Sequence, residues 1–121
     1  MTEKDLCNSI IEFLNYQGFF CWRVNSGMVQ AEYHEKKRLI RMARVGTSDI
    51  QGIRRKDGRM ICLEVKIPGK EKTLTQHQRD YLLKMQNYGA LAGMVTTPEQ
   101  ALYIVQGRTV WDSFDGSSLA D

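Results

Sequence analysis

The sequence predicts a single α/β domain with a mixed central sheet flanked by helices. Two signals come from local pattern: capped amphipathic helical segments at 3–17 and 76–88, and an alternating strand pair around Asp57-Gly58. The third is length, since 121 residues allow one domain with a modest core.

The elements follow in order. Thr2 with Asp5 forms a capping box for the first helix, and Leu6, Cys7, Ile10, Ile11, Phe13 and Leu14 make its apolar stripe. Gly18 ends it, and Phe19 to Val24, rich in aromatic and β-branched residues, reads as a strand. Residues 25–45 contain a glycine turn and a basic stretch that is either an extension strand or a mobile loop. A hairpin covers 47–67, and Pro68-Gly69 breaks the chain after it. Thr75, with Gln78 three residues on, caps the second helix, and Gly89 stops it. Leu91 to Thr96 reads as a buried strand. Thr97-Pro98-Glu99 opens a last helix, ended by Gly107. The domain spans 1–110, with 111–121 as a fraying tail.

The hairpin carries the chemistry. With Asp57 and Gly58 as the central pair of a primed two-residue turn, Lys56 faces Arg59, Gln51 faces Glu64 and Asp49 faces Lys66. Asp49, Gln51, Glu64 and Lys66 then share one face, and Ile50, Ile61, Leu63 and Val65 the other. Two carboxylates and an ammonium at a partly exposed sheet edge suit a divalent cation with a positive group beside it, and so a nuclease. A solvated acidic patch with a surface ion pair is the plain alternative.

The same residues resemble a known family. Asp49 followed by Glu64-x-Lys66 resembles the active site of the PD-(D/E)XK nuclease superfamily. Glu3, Gly18-Phe19, Arg23-x-Asn25-x-Gly27, Gly46-x-x-Asp49, Glu64-Val65-Lys66, Thr75-x-x-Gln78 and Tyr88-Gly89-Ala90 together are similar to its VRR-NUC (virus-type replication-repair nuclease) domain, over about residues 3–97. The superfamily's Pro-Asp dipeptide is Ser48-Asp49 here, which leaves the carboxylate in place.

The resemblance implies a restriction-endonuclease-like fold and Mg²⁺ or Mn²⁺ held by Asp49, Glu64 and the Val65 carbonyl. Lys66 would orient water and stabilise charge, or serve only as a structural partner of Asp49. Glu3 continues the buried stripe of the first helix, whereas Glu12 lies among polar neighbours; Glu3 is therefore the helical acid of the site, or an acid facing the helix dipole. Gln78 either caps its helix or reaches the site, where the family carries a glutamine. Arg23 and Asn25 are DNA-proximal by the same resemblance. Trp22 and Trp111 read as core aromatics rather than stacking platforms.

Composition bounds the partners. The net charge of +3 is mild, but Lys36, Lys37, Arg38, Arg41 and Arg44 cluster, Arg54, Arg55, Lys56 and Arg59 surround the turn, and Lys70 and Lys72 follow. Such clusters suit phosphate contacts or an ordinary solvated face. Cys7, Cys21 and Cys62 lack metal-ligand or redox spacing and read as buried free thiols. His34 and His77 form no ligand pair. Apolar runs are short and the N-terminus is polar, so an intracellular, non-secreted protein is expected.

The expected function is a metal-dependent, structure-selective DNA endonuclease similar to Holliday-junction resolvases. Paired cuts by a chain with one acidic set require a homodimer, with Tyr103, Val105 and Val110 to Phe114 as candidate interface. The alternatives are a monomeric flap or single-strand nuclease, and a DNA-binding module without catalysis.

Overall fold

The computed structural model describes residues 1–24 and 48–108, together with the backbone of two strands at 28–33 and 36–41. The order is α1 (Glu3–Tyr16), β1 (Phe20–Arg23), β2 (Met28–Tyr33), β3 (Lys36–Arg41), β4 (Ile50–Ile53), β5 (Met60–Val65), α2 (Gln76–Asn87), β6 (Leu91–Val95) and α3 (Pro98–Val105), with a short 3₁₀ turn at Glu71–Thr73. Four strands form a mixed sheet in the order β1-β4-β5-β6, antiparallel except for the parallel β5–β6 pair. The segment left between strand and loop by the sequence contains a separate antiparallel pair, β2–β3.

Both predicted capping boxes form. Thr2 Oγ1 accepts from Asp5 N and Asp5 Oδ2 from Thr2 N, each at 3.1 Å. Leu6, Cys7, Ile10 and Leu14 of the α1 stripe are buried, against Ile61, Leu63 and Val65 of β5 and Ala101, Ile104 and Val105 of α3. Asn15, near the end of α1, ties the helix to the sheet. Its side chain accepts from Cys21 N at 2.8 Å and donates to Cys21 O at 3.1 Å. It thereby satisfies backbone groups of β1, the strand at one end of the sheet order. Val105, offered as an interface residue, is fully buried in the core and unavailable to a partner, while Val110 to Phe114 lie outside the described residues.

The hairpin differs from the predicted register by two residues. Gln51 pairs with Cys62 and Ile53 with Met60, so Arg54 and Arg59 close a four-residue loop. Arg54 N donates to Arg59 O at 2.8 Å and Gly58 N to Arg54 O at 2.7 Å, with Gly58 at φ +75°. Asp57 is not a primed-turn residue; its carboxylate accepts from Arg59 N at 3.2 Å and pairs with the Arg54 guanidinium at 2.6 Å. That side-chain bonding favours the longer loop over the two-residue turn. An even shift preserves the facing of every side chain, whereas a shift of one would invert it. Gln51 therefore does not face Glu64, and Asp49, one residue beyond the last ladder pair, comes opposite Glu64 instead of Lys66.

The chain keeps β1 close to β4 by one small residue. A Cβ on Gly52 would lie 2.5 Å from the Phe20 carbonyl oxygen and 2.7 Å from Cys21 Sγ, contacts that backbone cannot yield cheaply. Gly52→Ala is expected to destabilise the domain by about 1–3 kcal/mol, read as a lower denaturant midpoint with unchanged m-value. An unchanged midpoint would mean that β1 is free to move away.

Candidate active site

The sheet and helices bring together residues far apart in sequence. Glu3 at the start of α1, Asp49 just before β4 and Glu64 within β5 place carboxylate oxygens within 4.8 Å of one another. Glu64 lies on β5, which has a neighbour on each side, and is only 2% exposed, so the expected partly exposed sheet edge does not describe it. Asp49 is half-buried and Glu3 exposed. The cluster thus grades from core to surface, which leaves an open side for a ligand.

Each inner group is held by a specific contact. Asp49 Oδ2 accepts from Val65 N at 2.9 Å, a donor that sequence reasoning had not assigned, since it offered Val65 only through its carbonyl. Glu64 Oε2 accepts from Gln78 Nε2 at 3.0 Å and lies 3.7 Å from Lys66 Nζ. Lys66 is 7% exposed and pairs with Glu64, not with Asp49 as the predicted register required. Gln78 caps its helix as expected, and its other edge bonds Glu64. Its Oε1 accepts from Thr75 N at 2.9 Å while its Nε2 holds Glu64. Three carboxylates against one ammonium leave a surplus of acid, and the donors are hard oxygens. Octahedral Mg²⁺ ligands at about 2.0–2.1 Å stand up to roughly 4.2 Å apart across the ion, so carboxylate oxygens within 4.8 Å of one another are candidates to share one hard cation.

A second contact joins α2 to the sheet. Gln51 Nε2 donates to Tyr81 Oη at 3.0 Å, one helical turn from Gln78 and on the same side of α2. Tyr81 is not among the residues that the sequence placed in the site. Ser48, in the position of the superfamily proline, is buried and donates from Oγ to Ile50 O at 3.1 Å.

The basic residues divide. Arg54 donates to Val105 O at 3.0 Å and to Asp57, and Arg59 donates to Gly89 O at 2.8 Å, so these two secure loops and helix ends instead of waiting for phosphate. Arg55, Lys56, Lys70 and Lys72 are exposed, as is Arg23 at the end of β1. Lys36, Lys37, Arg38 and Arg41 lie along β3, whose side chains are outside the described set, as are Asn25 and Arg44 entirely. Trp22, expected in the core, is 37% exposed and packs on exposed Phe20 with ring centroids 5.2 Å apart. Trp111 lies outside the described residues.

All three cysteines are free and buried. Burial pushes the Cys7 thiol up to about 12 and those of Cys21 and Cys62 to about 11, so none offers a thiolate near neutrality. Among the described residues no helix is long and apolar enough to cross a membrane. No family model matches the chain, and no curated protein matches its sequence.

Burial, then the charge and hydrogen bonding of Asp49, push the Glu64 carboxyl up to about 9, with Lys66 pulling it down and Glu3 adding to the rise. A raised folded pKa contributes stability that is complete below the ordinary value of 4.5 and is lost as pH climbs through about 9. In chelator, the wild-type Tm is expected to fall across that window, while Glu64→Gln, which keeps the shape and removes the charge, flattens the decline and melts several degrees higher at its alkaline end. Parallel melting curves for the two proteins would show that Glu64 is comfortably ionised without a cation.

Proposed function

We propose that this chain is a Mg²⁺- or Mn²⁺-dependent deoxyribonuclease of the PD-(D/E)XK type, similar to the VRR-NUC domain. The α/β architecture, with its mixed four-stranded sheet and three helices, is compatible with that fold. One observation carries the reading: Glu3, Asp49 and Glu64 converge from three separate elements beside the buried ammonium of Lys66. A surface ion pair would not need a carboxylate sunk into the middle of a sheet, where burying charge opposes folding.

When bound, a divalent ion would supply a water of lowered pKa and positive charge for the transferring phosphoryl group. Asp49 and Glu64 would hold it from within, with Glu3 reaching it from α1 directly or through water. The Val65 N–H fixes one Asp49 oxygen and so sets the orientation of that carboxylate. Gln78 sets the rotation of the Glu64 carboxylate, and its own orientation is set by the cap on Thr75. Lys66 keeps its ammonium beside Glu64, positioned to steer the attacking water and to oppose charge on the phosphorane. Exposed Arg23 and Lys70 are suited to phosphates flanking the scissile bond. The substrate proposed is branched DNA, cut on opposed strands by a homodimer, since the described residues of each chain hold one such site.

Asp49→Ala and Glu64→Ala are expected to abolish Mg²⁺- and Mn²⁺-dependent cleavage across a panel of four-way junction, flap, single strand and duplex. Lys66→Met keeps the buried stem and should slow single-turnover cleavage by about a hundredfold, with far smaller change in metal affinity by calorimetry. Wild-type rates in either carboxylate variant would refute the site, and an unslowed Lys66→Met would reduce that lysine to a structural partner of Glu64.

A further inference from the structure

Toward β1, the sheet face that carries Glu64 keeps exposed apolar side chains among the described residues. Opposed residues of antiparallel strands share a face, so the pairs Phe20–Ile53, Trp22–Gln51, Ile53–Met60 and Gln51–Cys62 set all these side chains on the side of Cys62 and Glu64. Helix α2 packs on that side mainly against β5 and β6 and reaches β4 through the Gln51–Tyr81 bond. Toward β1, Phe20 is 67% exposed, Ile53 43% and Trp22 37%. Single exposed apolar residues are ordinary; three that adjoin on one face, two of them aromatic and in contact, are a patch.

The patch is oriented. Ile53 leads into the loop that exposes Arg55 and Lys56, and in the other direction Gln51 is followed two residues on by Asp49. From Ile53 to Asp49 the strand runs roughly 13 Å, with basic side chains at one end, aromatic faces along it and the carboxylate cluster at the other. Arg23, also exposed, ends β1 beside the cluster.

We propose that Phe20 and Trp22 form a stacking platform for unpaired nucleobases, which leads a single strand from Arg55 and Lys56 into the carboxylate site. Every base has a π-face, so aromatics on a sheet bind single strands without reading sequence, and adjacent cations follow the backbone. Bases inside a duplex are stacked on one another and cannot use the platform, so on branched DNA it favours a branch with a single-stranded arm. A second copy of this chain is the poorer occupant. The three side chains offer on the order of 300 Å² against about 800 Å² per partner for a stable interface. The proposal rests on the nuclease reading for its direction of travel, but the binding itself needs no metal.

The test separates binding from cleavage. Anisotropy of labelled oligo(dT) in chelator is expected to show Trp22→Ala and Phe20→Ala each weakening single-strand binding about tenfold or more. Trp22→Phe should retain most of the affinity, and binding to a blunt duplex of equal length should be unmoved by all three. In a Trp111→Phe background, which leaves Trp22 as sole tryptophan, oligo(dT) should quench its fluorescence. Equal losses on duplex and single strand, or no loss on either, would overturn the platform. So would alanine variants that turn a sedimenting dimer into monomer with oligonucleotide affinity intact, which would assign the patch to contact between copies. Stacking without cleavage of any substrate under Mg²⁺ or Mn²⁺ would remove the nuclease reading and keep the platform. Cleavage indifferent to both aromatics would do the reverse.

Discussion

The β4–β5 ladder is the constraint from which the site follows. It places Ile61, Leu63 and Val65 toward the α1–α3 layer and Cys62 and Glu64 toward α2, so one strand supplies the core with one edge and the site with the other. All six residues from Ile61 to Lys66 are buried, which explains why acid and base occur there only as partners. Asp49 lies just outside the ladder, yet the Val65 N–H draws it onto the end of the neighbouring strand. Chain direction then brings the first turn of α1 over that end and adds Glu3. Were the ladder shifted by one residue, Glu64 would enter the apolar layer and Val65 the acidic one, and neither core nor cluster would survive.

Helix α2 ties the stability of a local element to the geometry of the cluster. A capping glutamine is normally worth no more than its helix terminus, about 1 kcal/mol. Here the same amide spends its second hydrogen-bonding edge on Glu64, so the orientation of the carboxylate is inherited from the start of a helix. The Gln51–Tyr81 bond fixes that helix against β4 a turn further on. Two amide side chains thus hold α2 in place over an acidic interior, where apolar packing alone would tolerate sliding. The acidic interior itself opposes folding, since Glu64 is deprived of water beside two like charges. A fold that maintains such a group without need of it would be at odds with the consistency expected between local and global preferences; exceptions of this kind concentrate at functional sites.

Much of this was legible in residues that act locally. Thr2 with Asp5, Thr75 with Gln78, and Thr97 before Pro98 marked helix starts because a cap is a contact over three residues. The facing of Asp49, Glu64 and Lys66 was legible because strand parity survives an error of two in register. What stayed hidden needed tertiary information. Asp57-Gly58 has the composition of a two-residue turn, and only the Arg54–Asp57 pair, itself anchored to the end of α3, selects the longer loop. Arg54 and Arg59 look like phosphate ligands by charge alone, yet they complete helix and loop ends. Trp22 looks like core by size, but depth depends on which half of the sheet a single helix covers.

That last point bears on how so small a chain could choose a substrate. Among the described residues, α1 and α3 close one side of the four-stranded sheet and α2 is left for the other. Placing α2 over β5 and β6 buries the acidic strand and keeps water away from Glu64 and Lys66. It also leaves Phe20 and Trp22 of β1 and Ile53 of β4 exposed on the same side, so among the described residues the boundary between covered and open sheet falls beside the carboxylate cluster. A site in the open half would be flooded and its ammonium screened; one under the middle of α2 would be closed to a polymer. At the boundary, on the reading proposed above, a buried pair would act on a strand that lies on exposed aromatic rings. The economy of helices that makes the domain small is therefore also what gives its acidic site an approach.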